Sequence, residues 1–126
     1  MENKWKNQNF FKALKNAING MIYTWKTQKN IKFQLCFAVI AIALGFLFQI
    51  SNMEWIVLIS TIFLVLVTEL FNTSIETVVD LYTEEYNEKA KIAKDVSAGA
   101  VLLMAICSVF VGILLFGTKI IEFVFG

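Results

Sequence analysis

Residues 55–82 read WIVLISTIFLVLVTELFNTSIETVVDLY, and this stretch decides the fold. The part from Trp55 to Phe71 is apolar enough for a membrane-spanning helix, and the acid-bearing part extends it to about Tyr82. A helix of about 30 residues is about 45 Å long, against a hydrocarbon layer of about 30 Å, so its last two turns protrude into the headgroups or the cytosol. Within it, Glu69, Asn72, Glu76 and Asp80 project near about 0°, 300°, 340° and 20° around the helix axis, on one face. Thr73 widens that stripe, while Leu66, Leu70, Phe71, Ile75, Val78 and Leu81 fall elsewhere. Each ionisable group inside a span costs roughly 2.5–3.5 kcal/mol, so such groups mark a pathway, a partner or a reaction site. The plainer reading is a polar patch that only joins helices. An aligned row of acids ending near the cytoplasmic surface speaks against it.

Outward from this helix, composition sets the class. Of 126 residues, 58% are hydrophobic and none is proline, which excludes an ordinary soluble domain and fits one small membrane domain over 1–126. Net charge is only +1, but the charges are segregated. Lys4, Lys6, Lys12, Lys15, Lys26, Lys29 and Lys32 precede the first apolar run against the single acid Glu2, whereas most acids lie between Glu69 and Asp95. With no arginine, any phosphate must be held by lysine, backbone N–H groups or metal ions. With no histidine, His-based acid–base catalysis, a Ser-His-Asp triad and His-ligated zinc are excluded. Nothing points to nucleic acid. Cys36 and Cys107 sit in apolar runs and read as small hydrophobes.

The expected architecture is an all-α integral membrane protein. An amphipathic surface helix at 5–27 carries Phe10, Leu14, Ile18, Met21 and Trp25 on one stripe, with Lys12, Lys15, Asn16 and Asn19 mostly off it. Three spans follow at 31–50, 54–82 and 96–118, joined by a short turn at Ser51-Asn52-Met53 and a cytosolic loop at 83–95. Trp5, Trp25 and Trp55 are expected as interfacial anchors. The lysine-rich N-terminus and the loop carrying Lys89, Lys91 and Lys94 are expected inside; the lysine-free turn and the tail with Lys119 are expected outside. The acid row then ends where ATP and Mg²⁺ are. Ser97, Ala98, Gly99 and Ala100 read mainly as a close-packing patch, and Glu84 and Glu88 as solvated charges.

Phosphoryl transfer needs metal ions across the phosphates, positive charge to hold them, and a base near the acceptor hydroxyl. Glu76, Asp80, Glu84, Glu85 and Asp95 offer the oxygen ligands that Mg²⁺ prefers, and Lys91 and Lys94 offer charge. Glu69 lies about 10 Å deeper along the axis than Glu76, where a carboxylate withdrawn from water suits a general base acting on a lipid hydroxyl. Spacing alone does not separate this from a cation-coupled transporter using the same acids as a relay.

The wording of the sequence does separate them. Glu69-Leu-Phe-Asn72-Thr-Ser-Ile-Glu76-Thr-Val-Val-Asp80, then Glu85-Tyr86-Asn87, then Ala93-Lys94-Asp95-Val-Ser-Ala-Gly-Ala-Val, closely resembles the small prokaryotic diacylglycerol kinase family over essentially the whole chain. Tyr82-Thr-Glu-Glu-Tyr and Lys91-Ile-Ala-Lys-Asp-Val look most like its undecaprenol kinase branch of Gram-positive bacteria. The resemblance implies a homotrimer with shared sites, MgATP as donor, and a lipid alcohol (undecaprenol, or alternatively diacylglycerol) as acceptor at the plasma membrane. It implies Glu69 as catalytic base at the lipid hydroxyl, and Glu76 as a metal ligand lying against ATP. Asn72 and Asp80 would stand beside it, with Asp80 a further metal candidate. Glu85, Tyr86, Asn87, Lys94 and Asp95 would contact ATP, and Ala98 would lie near the lipid. One position departs from the family: Gln28 stands where a second metal-binding Glu is usual, and its amide oxygen can ligate Mg²⁺ but brings no charge. That loss is also what a non-enzymatic assembly subunit would tolerate.

Overall fold

The computed structural model describes residues 9–126, so Trp5 and the expected helix residues 5–8 lie outside the described residues. Four α-helices follow in chain order: α1 Phe10–Thr27, α2 Lys29–Leu47, α3 Asn52–Tyr82 and α4 Glu88–Phe125. Local side-chain chemistry starts three of them. Asn9 Oδ1 accepts from the Lys12 N–H at 2.9 Å and opens α1. Ser51 and Glu54 form a capping box, each side chain accepting the other's backbone N–H at 3.2 Å, and open α3. Asn87 Oδ1 accepts from the Ala90 N–H at 3.1 Å and opens α4. Gln28, in extended backbone at φ −110°, is at once the last cap of α1 and the first of α2.

These caps move two boundaries from their expected places. The turn between α2 and α3 is Phe48 to Ser51, so Asn52 and Met53 already belong to the helix. The loop after α3 is only 83–87, because Asn87 starts α4 two turns before the apolar run begins at Val96; α4 then continues past 118 to Phe125. A helix end is set by who satisfies the free N–H groups, whereas hydropathy marks only the depth at which the chain becomes apolar.

The helices α2, α3 and α4 are each long and apolar enough to cross a membrane. The short connections make α2–α3 and α3–α4 antiparallel neighbours, and α3 packs along α4 more extensively than along α2. Near the α2–α3 turn lies an apolar core of Ile50, Leu58, Leu115 and Phe116, flanked by Leu44, Phe48 and Trp55. There Lys119 Nζ also donates to Glu54 Oε2 at 2.7 Å and to the Leu115 carbonyl at 2.9 Å, tying α4 to the start of α3. Toward the α3–α4 loop the interior turns polar, with Thr24, Glu69, Asn72, Thr73 and Ser97 all buried. Large apolar side chains such as Phe33, Phe37, Phe63, Phe110 and Leu114 face outward, as a lipid environment allows.

Candidate active site

The row on α3 passes from buried to exposed along its length. Glu69 has no accessible surface, Asn72 and Thr73 are buried, Glu76 is half-buried, and Asp80 is exposed. Each acid on this row meets a partner from another helix. At the deep end, Gln34 of α2 donates from Nε2 to Glu69 Oε2 at 3.2 Å. One helical repeat further, Gln28 donates from Nε2 to Glu76 Oε2 at 3.0 Å, while Asn72 Nδ2 donates to Glu76 Oε1 at 3.2 Å. The Ser97 hydroxyl of α4 donates to Asn72 Oδ1 at 2.7 Å and shares its proton with the Lys94 carbonyl at 3.0 Å, which fixes the Asn72 amide with its NH₂ toward Glu76. At the exposed end, Lys94 Nζ donates to Asp80 Oδ1 at 2.6 Å.

Four segments therefore meet: the α1–α2 junction through Gln28, α2 through Gln34, α3 through its whole row, and α4 through Lys94 and Ser97. The helix itself explains the row, since steps of three and four residues keep side chains on one face. The hydroxyls that could compete for these acids are turned inward to the backbone: Thr73 Oγ1 donates to the Glu69 carbonyl at 2.9 Å and Thr77 Oγ1 to the Thr73 carbonyl at 2.8 Å. Glu69 thus keeps Oε1 without a hydrogen-bond partner among the described residues, and so does Gln34 Oε1. A buried acceptor left unpaired costs about 1–3 kcal/mol, so both oxygens are places where an incoming hydroxyl could be received.

Other expected site residues lie elsewhere. Glu85, Tyr86 and Asn87 are on the exposed loop and at the start of α4, with Glu85 N–H held by Thr83 Oγ1 at 3.1 Å and Asn87 engaged as the cap. Lys94 turns to Asp80, while Asp95 turns to Lys91 on the outside of α4. Consecutive helical residues diverge by about 100°, which is why neighbours in sequence separate here. Ala98 is exposed on α4, and its neighbour Ser97 is the one turned into the site.

Among the described residues no three acids converge as a ready metal cage. Glu76, with Asp80 one turn further along the same face, nonetheless fits Mg²⁺, which is usually held by one or two carboxylates with the phosphates and waters filling the remaining positions; the Gln28 amide turns its N–H to Glu76 and would have to rotate to offer its oxygen.

A groove of about 690 Å³ runs between α2, α3 and α4, walled by apolar side chains including Phe33, Phe37, Leu44, Ile62 and Val109. Gln34 lies in its wall and also touches Glu69, so the apolar groove and the buried acid meet at this one amide. Sequence reading singled out Glu69 but not Gln34 or Ser97. One glutamine in an apolar span and one serine in a small-residue patch carry no motif, and only the contact across helices reveals them.

Residues 15–116 match the sequence profile described as prokaryotic diacylglycerol kinase. The chain is similar to an undecaprenol kinase of Bacillus subtilis (strain 168), 38% identical over 111 residues that cover 88% of this chain and 90% of that protein. It is also similar to a diacylglycerol kinase of Synechocystis, 41% identical over 82% of this chain and 60% of that protein. A diacylglycerol kinase of Escherichia coli (strain K12) is 29% identical, over 78% of this chain and 80% of the other.

Proposed function

The chain belongs to the prokaryotic diacylglycerol kinase family and is a multi-pass membrane lipid kinase, and from that premise we propose that it transfers the γ-phosphoryl group of MgATP to the hydroxyl of undecaprenol. The observation that carries the chemistry is the fully buried Glu69, set at the junction of an apolar groove and a polar row that runs out to a lysine. The likeness to an undecaprenol kinase over nine-tenths of that protein's length favours the polyprenol; the likeness to diacylglycerol kinases keeps diacylglycerol as the second reading.

In this reading the lipid alcohol comes along the groove and presents its hydroxyl to Glu69, which takes the proton as the oxygen attacks phosphorus. Glu76, with the Gln28 amide oxygen and Asp80 nearby, would hold Mg²⁺, which supplies charge neutralisation across the phosphates. Asn72, fixed by Ser97, holds Glu76 in place. Lys94 exchanges its Asp80 partner for phosphate, and Glu85, Tyr86, Asn87 and Asp95 receive the rest of the nucleotide at the exposed end, with Ala98 on the lipid side. The protein works as a homotrimer whose protomers complete one another's sites, with α1 lying on the inner leaflet and the N-terminus and the 83–87 loop in the cytosol.

The test is direct. Purified protein is given labelled ATP, Mg²⁺ and, side by side, undecaprenol and diacylglycerol. Label appearing in undecaprenyl phosphate is expected; efficient labelling of diacylglycerol alone reverses the choice of acceptor, and ATP-independent ion flux with no labelled lipid removes the kinase reading in favour of a transporter.

A further inference from the structure

Gln34 belongs to no motif, yet its head group meets the buried acid head to head. Its Nε2 donates to Glu69 Oε2, and the two remaining oxygens, Gln34 Oε1 and Glu69 Oε1, are both buried without a partner among the described residues. No donor among the described residues meets either of these two acceptors. The polar side chains around them are engaged with other acceptors: Asn72 Nδ2 with Glu76, the Ser97 hydroxyl with Asn72, the Thr73 hydroxyl with the Glu69 carbonyl, and the Lys94 ammonium with Asp80. The missing donor must arrive from outside the fold. The groove that reaches Gln34 is apolar along its walls, so what arrives is a hydroxyl on an apolar body.

We propose that Gln34 is a positioning residue for the transfer step: its N–H fixes the Glu69 carboxylate so that Oε1 meets the incoming alcohol, and its carbonyl then accepts a hydrogen bond from the carboxyl that Glu69 has become. The inference rests on the role given to Glu69 above. The atoms balance as follows. The alcohol O–H bond breaks and its proton passes to Glu69 Oε1. The oxygen's electron pair forms the new bond to the γ-phosphorus, and the bond from that phosphorus to ADP breaks with its pair leaving on ADP. Glu69 is now a neutral carboxyl whose Oε1–H finds an acceptor in Gln34 Oε1, while Gln34 Nε2–H still meets Oε2. An acid and a primary amide close a ring of two hydrogen bonds in this way. The same side chain therefore serves both states of the base, donating to the carboxylate before transfer and also accepting from the acid after it. An aliphatic side chain serves neither state.

Gln34 to Met keeps the length and removes both polar atoms; Gln34→His keeps a ring N–H of similar reach. With the full-length protein in lipid vesicles, Gln34→Met is expected to lower kcat for the lipid acceptor by about 10- to 100-fold, the range that misplacement of a reacting group gives. KM for MgATP should stay at the wild-type value, because Gln28, Glu76 and Lys94 are untouched. The ratio of kcat in H₂O to that in D₂O should rise, since proton transfer becomes the harder part of the step. Gln34→His should recover part of the rate, and if Gln34→Met does not assemble, the kcat and isotope ratio of Gln34→His read the proposal alone. Wild-type rates in Gln34→Met, or a loss that appears in KM for MgATP with an unchanged isotope ratio, overturn it. If instead the wild-type protein phosphorylates no lipid, or Glu69→Gln remains fully active, the role of Glu69 itself has failed, and that outcome is distinct from the first.

Discussion

At the scale of single residues, the site pairs carboxylates with neutral amides. Glu69 meets Gln34 and Glu76 meets Gln28, and among the described residues neither acid forms an ion pair. For Glu69 this leaves Oε1 without a partner among the described residues, next to the amide that lines the groove. On the proposed role, Glu69→Gln keeps the shape and removes the base, so lipid phosphorylation should fall by about 10²- to 10⁴-fold while helicity and assembly, followed by circular dichroism and size exclusion, stay as in the wild type. For Glu76, the proposed metal ligand, the amide partner bears on how tightly Mg²⁺ would be held. Gln28→Glu adds a unit charge that is worth at least about 1 kcal/mol to a bound cation, or roughly fivefold. The Mg²⁺ concentration for half-maximal rate should drop accordingly. Without Mg²⁺ the same variant replaces a hydrogen bond by two like charges, so it should melt below the wild type and recover when Mg²⁺ is added. A Mg²⁺ titration unchanged in both respects would take Gln28 out of the metal site.

Among the helices, the turn between α2 and α3 concentrates two constraints. Gln49 sits at φ 50°, in the left-handed region, which costs an L-residue with a Cβ roughly 1–2 kcal/mol. Gln49→Gly should therefore raise thermal stability by about 1 kcal/mol, measured as a shift in melting temperature. Nearby, the Trp55 ring of α3 lies against Gly45 of α2, so close that a Cβ there would stand 2.6 Å from the indole. The Phe46 ring packs against the same indole at a tilt of 54°, with centroids 4.9 Å apart. Trp55 is thus a packing residue between two spans, whatever its depth in the bilayer. Gly45→Ala must push the indole aside and should cost about 1–3 kcal/mol, with most of the loss seen as weaker association of α2 with α3. A melting temperature equal to the wild type would mean that α2 and α3 can separate slightly without penalty.

For the molecule as a whole, two chemically different ends are held by α3. One end packs Ile50, Leu58, Leu115 and Phe116 and is latched by Lys119 to Glu54; the other gathers the polar row. The proposed orientation puts the polar end in the cytosol. After Cys36 and Cys107 are changed to Ala, a cysteine at Lys91 should react with a membrane-impermeant thiol reagent only from the inside of oriented vesicles, and a cysteine at Asn52 only from the outside. The opposite pattern would separate the acid row from cellular ATP. Much of this was legible in the chain itself. Local spacing decides which residues share a face, so the row Glu69, Asn72, Glu76, Asp80 follows from helical periodicity, and apolar length alone marks α2, α3 and α4 as spans. Cap chemistry was also written locally, at Ser51 with Glu54 and at Asn87, yet hydropathy overrode it and drew the 83–95 loop too long. What local pattern could not decide was which partner each acid receives. Gln28 lies 48 residues from Glu76, Gln34 lies 35 from Glu69, and Ser97 lies 25 from Asn72. Those pairs depend on how far each helix slides and turns against the next. Packing of side chains across three helices sets that register, and periodicity along one helix cannot.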